Sequence, residues 1–271
     1  MIILILIVLG LCCGSFINAL AWRMRQQEKG RKGRDISILR GRSMCSSCGH
    51  ELAVRDLIPV LSYLSLRGRC RYCHQPIADK PVVEVVTAAV FVISYLCWPL
   101  SLGASGQRLL FVTWLLTVVG LLALAVYDFL WMELPNRILY PTFFVAAAGR
   151  LAYISLYSAD KPHDLYLWVL SLVVASGIFL LIFIISQGRW IGYGDVRLGL
   201  VTGTLLATPA KSFLMIFVAS ILGTLFVIPG VLAGKKSATS RLPFGPFLII
   251  ASMIILLFGD SLINWYQNHL L

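Results

Sequence analysis

Two kinds of residue in this chain have types and spacings suited to chemistry. The first are carboxylates. Asp and Glu number only 12 in 271 residues, so each can be weighed singly. Asp128 follows the apolar run Leu121 to Tyr127 and precedes Leu134-Pro135-Asn136, where a helix should break. Asp195 closes Gly192-Tyr193-Gly194-Asp195, a loop whose glycines, Gly192 and Gly194, would let a substrate backbone approach closely. Two carboxylates at one depth can share a proton, because both cannot comfortably ionise at close range. One then acts as general base on a water, while the other, protonated, polarises a scissile carbonyl. Taken singly, an aspartate at a span end caps a helix or marks topology. A Tyr-Asp in one span joined to a Gly-x-Gly-Asp in another is far more specific. Glu84 either caps the second span or faces the segment before it, and Glu133 and Asp260 read as ordinary charges.

The second kind are cysteines. Cys45-Ser-Ser-Cys48 and Cys70-Arg-Tyr-Cys73 are two C-x-x-C knuckles separated by 21 residues, able to reach one tetrahedral ion. Gly49, Arg69 and Arg71 flank them, favouring tight turns and thiolates. Four filled positions make the metal structural, with zinc the expected ion. A redox pair, a disulfide or free thiols are the alternatives, and a cytoplasmic location argues against a disulfide. His50 and His74, next to the knuckles, read as surface residues.

The elements that must position these groups belong to a membrane protein. Hydrophobic residues make up 59% and charged residues 13% of the chain, against roughly a quarter charged in soluble domains. Mean hydropathy is +0.85. Met1–Ala21 is long enough to span and lacks a basic start or a clear cleavage site, so it reads as a retained first helix. Seven further apolar stretches follow, at about 82–100, 108–127, 137–157, 165–186, 197–209, 212–232 and 247–267. The short 197–209 stretch is expected to extend back toward Gly194 or to lie partly embedded. The fold class is therefore an all-α polytopic membrane protein of about eight transmembrane helices, with a small zinc-ribbon-like insert after the first. The expected domains are the helix 1–21, the four-cysteine insert 22–81 and a transmembrane core 82–271.

The net charge of +11 is not a nucleic-acid signature here, because the basic residues sit between apolar spans. The insert carries 13 basic and 5 acidic residues, which makes it cytoplasmic by the positive-inside rule. Alternation then places both termini outside. It puts 128–136, 187–196 and 233–246 inside, with Arg137, Arg189, Arg197, Lys235, Lys236 and Arg241 in or beside them. Both aspartates fall at cytoplasmic span ends.

With these residues in hand, the chain resembles the bacterial prepilin peptidases, a family of Gly-x-Gly-Asp membrane aspartyl proteases. The resemblance runs nearly end to end. It covers Gly14-Ser15-Phe16-Ile17-Asn18, the two knuckles, Ile58-Pro59-Val60-Leu61-Ser62-Tyr63, Leu66-Arg67-Gly68-Arg69-Cys70 and Pro81-Val82-Val83-Glu84. It continues through Asp128 with Leu134-Pro135-Asn136, Gly192 to Leu198, and Pro243-Phe244-Gly245-Pro246. Arg197 stands where the family usually has lysine.

The resemblance implies an endopeptidase of the bacterial cytoplasmic membrane, with Asp128 and Asp195 catalytic. Its substrates would be type IV prepilins or pseudopilins, cleaved after a glycine at the cytoplasmic face. Many members with the cysteine insert also methylate the new N-terminal amine with S-adenosylmethionine. The chain has no glycine-rich nucleotide loop after a strand, and the residues that would bind the methyl donor are unknown from sequence. The competing class is a transporter or channel with a zinc-ribbon regulatory insert and a proton-relaying aspartate pair. It predicts carboxylates near the bilayer midplane, in broken helices.

Overall fold

Apolar runs of about 20 residues can satisfy their backbone in lipid only as helices, and helices are what the chain forms. The computed structural model describes residues 1–30, 37, 41–45, 47–77, 80–232 and 242–270. Lys235, Lys236 and Arg241, assigned to an inside loop, lie outside the described residues, as do Arg31, Lys32, Arg34, Arg40, Asp35 and Asp79 of the insert. In order, the helices are α1 (Ile2–Glu28), α2 (Leu61–Ser65), α3 (Val82–Leu96), α4 (Ser105–Trp131), α5 (Asn136–Tyr157), α6 (Lys161–Ser186), α7 (Tyr193–Leu206), α8 (Pro209–Leu232) and α9 (Gly245–Leu270). A 3-10 turn, Val54–Leu57, precedes α2. Among the described residues there is no extended sheet, only two isolated bridges in the insert.

Among the described residues, six helices are long and apolar enough to cross a membrane: α1, α4, α5, α6, α8 and α9. The other two expected spans are shorter. α3 has 15 residues and α7 has 14, or roughly 21–23 Å at 1.5 Å per residue, below the roughly 30 Å of a hydrocarbon core. α7 starts four residues before the expected 197, as its glycine-rich entry suggested. It ends early because Ala207 turns left-handed (φ 57°) just before Pro209. α1 runs seven residues past the expected Ala21: its last turns, rich in Arg and Gln, carry an Arg25–Glu28 ion pair at i,i+3 (3.0 Å).

The chain divides into two compact units, Met1–Leu96 and Cys97–Leu271. In the first, α1 packs on α3. Gly10 and Gly14, four apart on α1, bring the backbones together: a Cβ on Gly10 would lie 2.5 Å from Ala88 Cα, and one on Gly14 2.4 Å from Glu84 Cα. The second span of the sequence thus packs with the first helix and the insert.

In the second unit, α7 packs between α6, α5 and α9. Polar side chains tie it to α6, with Ser171 Oγ donating to Gly203 O (2.8 Å) and Ser176 Oγ to Val196 O (2.9 Å). Ser171 also shares a hydrogen bond with Ser212 of α8 (2.8 Å). α7 carries two of its glycines against α6, where a Cβ on Gly199 would sit 2.6 Å from the Ala175 carbonyl oxygen. A backbone oxygen cannot step aside as a flexible side chain can. Gly199→Leu should therefore destabilise the protein by about 1–3 kcal/mol through overpacking. Thermal unfolding in detergent checks this, and an unchanged midpoint would contradict the close α6–α7 packing.

Candidate functional site

Asp128 and Asp195 come together in the second unit from helices of opposite polarity at the site. α4 ends just past Asp128: Met132 takes a left-handed conformation (φ 56°), its N–H donating to the Asp128 carbonyl (2.7 Å). Leu134 and Pro135 follow, and proline keeps the chain extended until α5 begins at Asn136. Asp128 lies inside α4 rather than in the loop 128–136. Its side chain is buried, at 5% exposure. Asp195 occupies the first turn of α7 and is 8% exposed. The two carboxylates are near enough to interact electrostatically, and the backbone of Gly192 hydrogen-bonds the Asp195 side chain.

A carboxylate at the C-terminal end of its own helix faces the wrong end of the helix dipole. Asp128 is compensated from elsewhere in the chain. The backbone N–H of Gly245, the first residue of α9, donates to Asp128 Oδ2 (3.0 Å) in a buried contact. A Cβ on Gly245 would fall 2.6 Å from that same oxygen, so only glycine lets the amide come this near. Sequence reasoning quoted Gly245 as part of a motif but gave it no role. The signal was the glycine between two prolines at the start of a span.

The two predicted glycines of the loop do different things. Gly192, the N-cap of α7, has an ordinary extended backbone (φ −77°, ψ 147°), and the nearest group to a Cβ there would be the Asp195 carboxylate, at 3.8 Å. Gly194 receives the Leu134 side chain, 3.0 Å from where its Cβ would be. The Leu134-Pro135-Asn136 turn is thus seated directly on the Gly-x-Gly-Asp helix start. A second tie holds it: Arg197 of α7 donates from a guanidinium NH to Asn136 Oδ1, with its guanidinium over the Tyr193 ring at 5.1 Å. That bond links the two aspartate-bearing segments and was not foreseen.

The cysteines form the second centre, in the first unit. The Sγ atoms of Cys45, Cys48, Cys70 and Cys73 all lie within 4.8 Å of one another, a group that could hold a metal ion. Each knuckle is closed by its backbone. Cys45 N–H donates to His50 O and Gly49 N–H to Cys45 O; Cys70 N–H donates to Gln75 O and His74 N–H to Cys70 O, all at 2.9–3.0 Å. The thiols act on one another: against its burial, hydrogen bonds from the backbone of Cys48 and Ser47 bring Cys45 down to about 6, while, against a hydrogen bond from the Gln75 backbone, burial and the neighbouring thiols push Cys73 up to about 12. His50 and His74 are exposed, and the His50 ring lies tilted against Tyr72, with ring centroids 3.7 Å apart.

Beside the knuckles lies a cavity of about 190 Å³ between α1, the insert and the start of α3. Glu84 reaches it and accepts the Val60 N–H at 2.6 Å. Val60 has φ 61°, an unusual conformation for a β-branched residue, costing about 1–3 kcal/mol and persisting only where the surroundings enforce it. Sequence reasoning left Glu84 between a cap and an insert-facing role, and it faces the insert.

The comparisons with known proteins agree with this division. Residues 8–98 match the model for the bacterial peptidase A24 N-terminal domain, and residues 115–228 match that for the type IV leader peptidase family. The chain is 31% identical over 265 residues to a prepilin leader peptidase/N-methyltransferase of Bacillus subtilis, covering 97% of this chain and 96% of the relative. It is 28% identical to the proteins of that name from Aeromonas hydrophila and Pseudomonas aeruginosa, covering 97% of this chain in both cases and 92% and 93% of theirs. No solved structure matches the chain. An insert whose four cysteines could hold a metal ion, a paired-aspartate site in the helical unit and near full-length similarity lead to one conclusion: the chain belongs to the prepilin leader peptidase/N-methyltransferase family.

Proposed function

We propose that this chain is a multi-pass endopeptidase of the bacterial inner membrane that removes the leader of type IV prepilins or pseudopilins and methylates the new N-terminus. The observation that carries the proteolytic half is the pair of buried carboxylates, Asp128 and Asp195, supplied by separate helices and interacting with each other. Between them they hold one proton. The ionised member takes a proton from the attacking water. The protonated member donates a hydrogen bond to the scissile carbonyl, stabilising the oxyanion as it forms. The leaving amine then takes up a proton from the dyad, which returns to its starting state. Carboxylates at helix ends favour this reading over a proton-relaying transporter, whose acids belong in mid-span. The charge pattern supports a cytoplasmic insert, cytoplasmic aspartates, and termini outside.

Zinc suits the four thiolates: an ion bound at about 2.3 Å to each wants sulfurs about 3.8 Å apart, and these lie within 4.8 Å of one another, Cys45 and Cys73 at 3.9 Å. With four protein ligands it has no open position, so its role is to hold the insert together. For S-adenosylmethionine, the fit is with the cavity at Glu84. It is smaller than the roughly 300–1,000 Å³ of drug-sized sites, so it takes one end of a reactant rather than all of one. Its Trp22 and Tyr63 rings suit the cationic sulfur of that reactant. When bound, the methyl donor supplies an electrophilic methyl group.

Asp128→Asn and Asp195→Asn should each lower prepilin cleavage by about three orders of magnitude or more, while methylation of a pre-cleaved substrate persists. Cleavage at the wild-type rate by either variant, assayed on purified protein, would remove that residue from the dyad. Cys45→Ser combined with Cys70→Ser should release the bound metal and loosen the insert, as read by metal analysis and proteolysis. Undiminished metal content would refute the four-thiolate site.

A further inference from the structure

Of the two carboxylates that line the cavity beside the knuckles, one has no ion-pair partner among the described residues. Asp56 is bound to Arg71 (2.8 Å), with Tyr72 Oη donating to it as well (3.3 Å). Arg42 pairs with Glu51 (2.8 Å), and Arg23 donates to the Gly41 carbonyl (2.9 Å). Glu84 has no cationic partner among the described residues. One of its oxygens is held by the Val60 N–H, so the carboxylate is fixed in direction without being neutralised. The strained Val60 backbone that makes this bond is local strain spent on aiming one side chain.

Two more polar groups converge there. Ser15 and Asn18 lie three apart on α1, line the same cavity, and have no hydrogen-bond partner among the described residues. Polar side chains within an apolar helix are costly in lipid and mark function when they face a cavity. Gly14 sets the geometry, since its missing side chain lets α1 close onto the Glu84 backbone. The result is one free carboxylate and two hydrogen-bonding side chains in a space too small for a nucleoside but ample for a primary ammonium.

We infer that this cavity, through Glu84 with Ser15 and Asn18, is where the free N-terminal ammonium of the cleaved substrate is held for methyl transfer. The inference rests on the methyltransferase half of the proposed function and assigns the acceptor end of that reaction. The ammonium donates hydrogen bonds to Glu84, Ser15 and Asn18. It gives one proton to Glu84, which frees the nitrogen lone pair. The N–C bond forms as the methyl carbon–sulfur bond breaks, and the electron pair stays on sulfur, turning sulfonium into thioether. The product is a secondary ammonium, so charge and protons balance. Glu84 touches the reacting nitrogen and is a catalytic residue in this scheme.

The test uses the purified full chain in detergent and a fluorescent peptide carrying the mature N-terminus of a pilin, with its amine free or acetylated. The wild type should bind the free amine about tenfold more tightly than the acetylated peptide, the value expected for one charge-assisted hydrogen bond. Glu84→Gln, which can still accept the Val60 N–H, should bind the two peptides alike. Glu84→Asp, which keeps the charge, should retain part of the preference, and Asn18→Ala should lose part of it. A full preference in Glu84→Gln, or none in the wild type, overturns the inference. S-adenosylhomocysteine, titrated in parallel, separates the two cationic reactants: weaker binding in Glu84→Gln with the amine preference intact would put the carboxylate at the donor and likewise overturn it. Methyl transfer by the wild type alongside an intact preference in Glu84→Gln would sink this inference and leave the proposed function standing. A Glu84-dependent preference in a wild type that transfers no methyl group would do the reverse.

Discussion

Burying two carboxylates at the ends of apolar helices is the constraint around which the second unit is arranged. A carboxylate removed from water must be met by hydrogen bonds or opposite partial charge. For Asp128, the C-terminal end of α4 offers the wrong sign. The structure answers by bringing the N-terminal amide of α9 to it, over 117 residues of chain. For Asp195 the position in its own helix is favourable, being in the first turn of α7 with the Gly192 backbone as a partner. The pair is therefore held by three helix ends, and a change at any of them moves a carboxylate.

This explains why the helices break where they do. α4 stops at Met132 so that Asp128 stands at an end, and Pro135 keeps the connection to α5 short and extended. α7 is too short to cross a bilayer, and it opens at Gly192 so that Asp195 meets the end of α4. Leu134 seated on Gly194 and the Arg197–Asn136 bond lock the two breaks together. Arginine serves here with a planar donor group and a stacking face on Tyr193, contributions that a lysine makes differently. In the first unit, Gly14 and the strained Val60 direct Glu84 into a cavity by the same means of backbone approach.

Much of this was legible in sequence because lipid imposes strong rules. Apolar runs marked α1 and α3 to α9, with errors of a few residues at most of their ends. The Pro135 boundary was readable as a break, whereas the continuation of α1 through Trp22 to Glu28 was not, since hydropathy falls there while helix propensity does not. The aspartate pair and the thiolate group stood out by residue type and spacing. What periodicity could not reveal were contacts between distant segments: Gly245 to Asp128, Arg197 to Asn136, and Val60 to Glu84. Each depends on how helices pack, and no local pattern encodes it. The pairing of α3 with α1 was hidden for the same reason.

The measurement that bears most directly on this account is the cleavage rate of Gly245→Ala. A methyl group at Gly245 would fall on the Asp128 carboxylate and push it out of register with Asp195. The account predicts a fall in kcat of about a hundredfold, the cost of misplacing a catalytic group by about an ångström, with methylation of a pre-cleaved substrate unchanged. Cleavage at the wild-type rate would contradict the claim that the N-terminus of α9 positions Asp128 for catalysis.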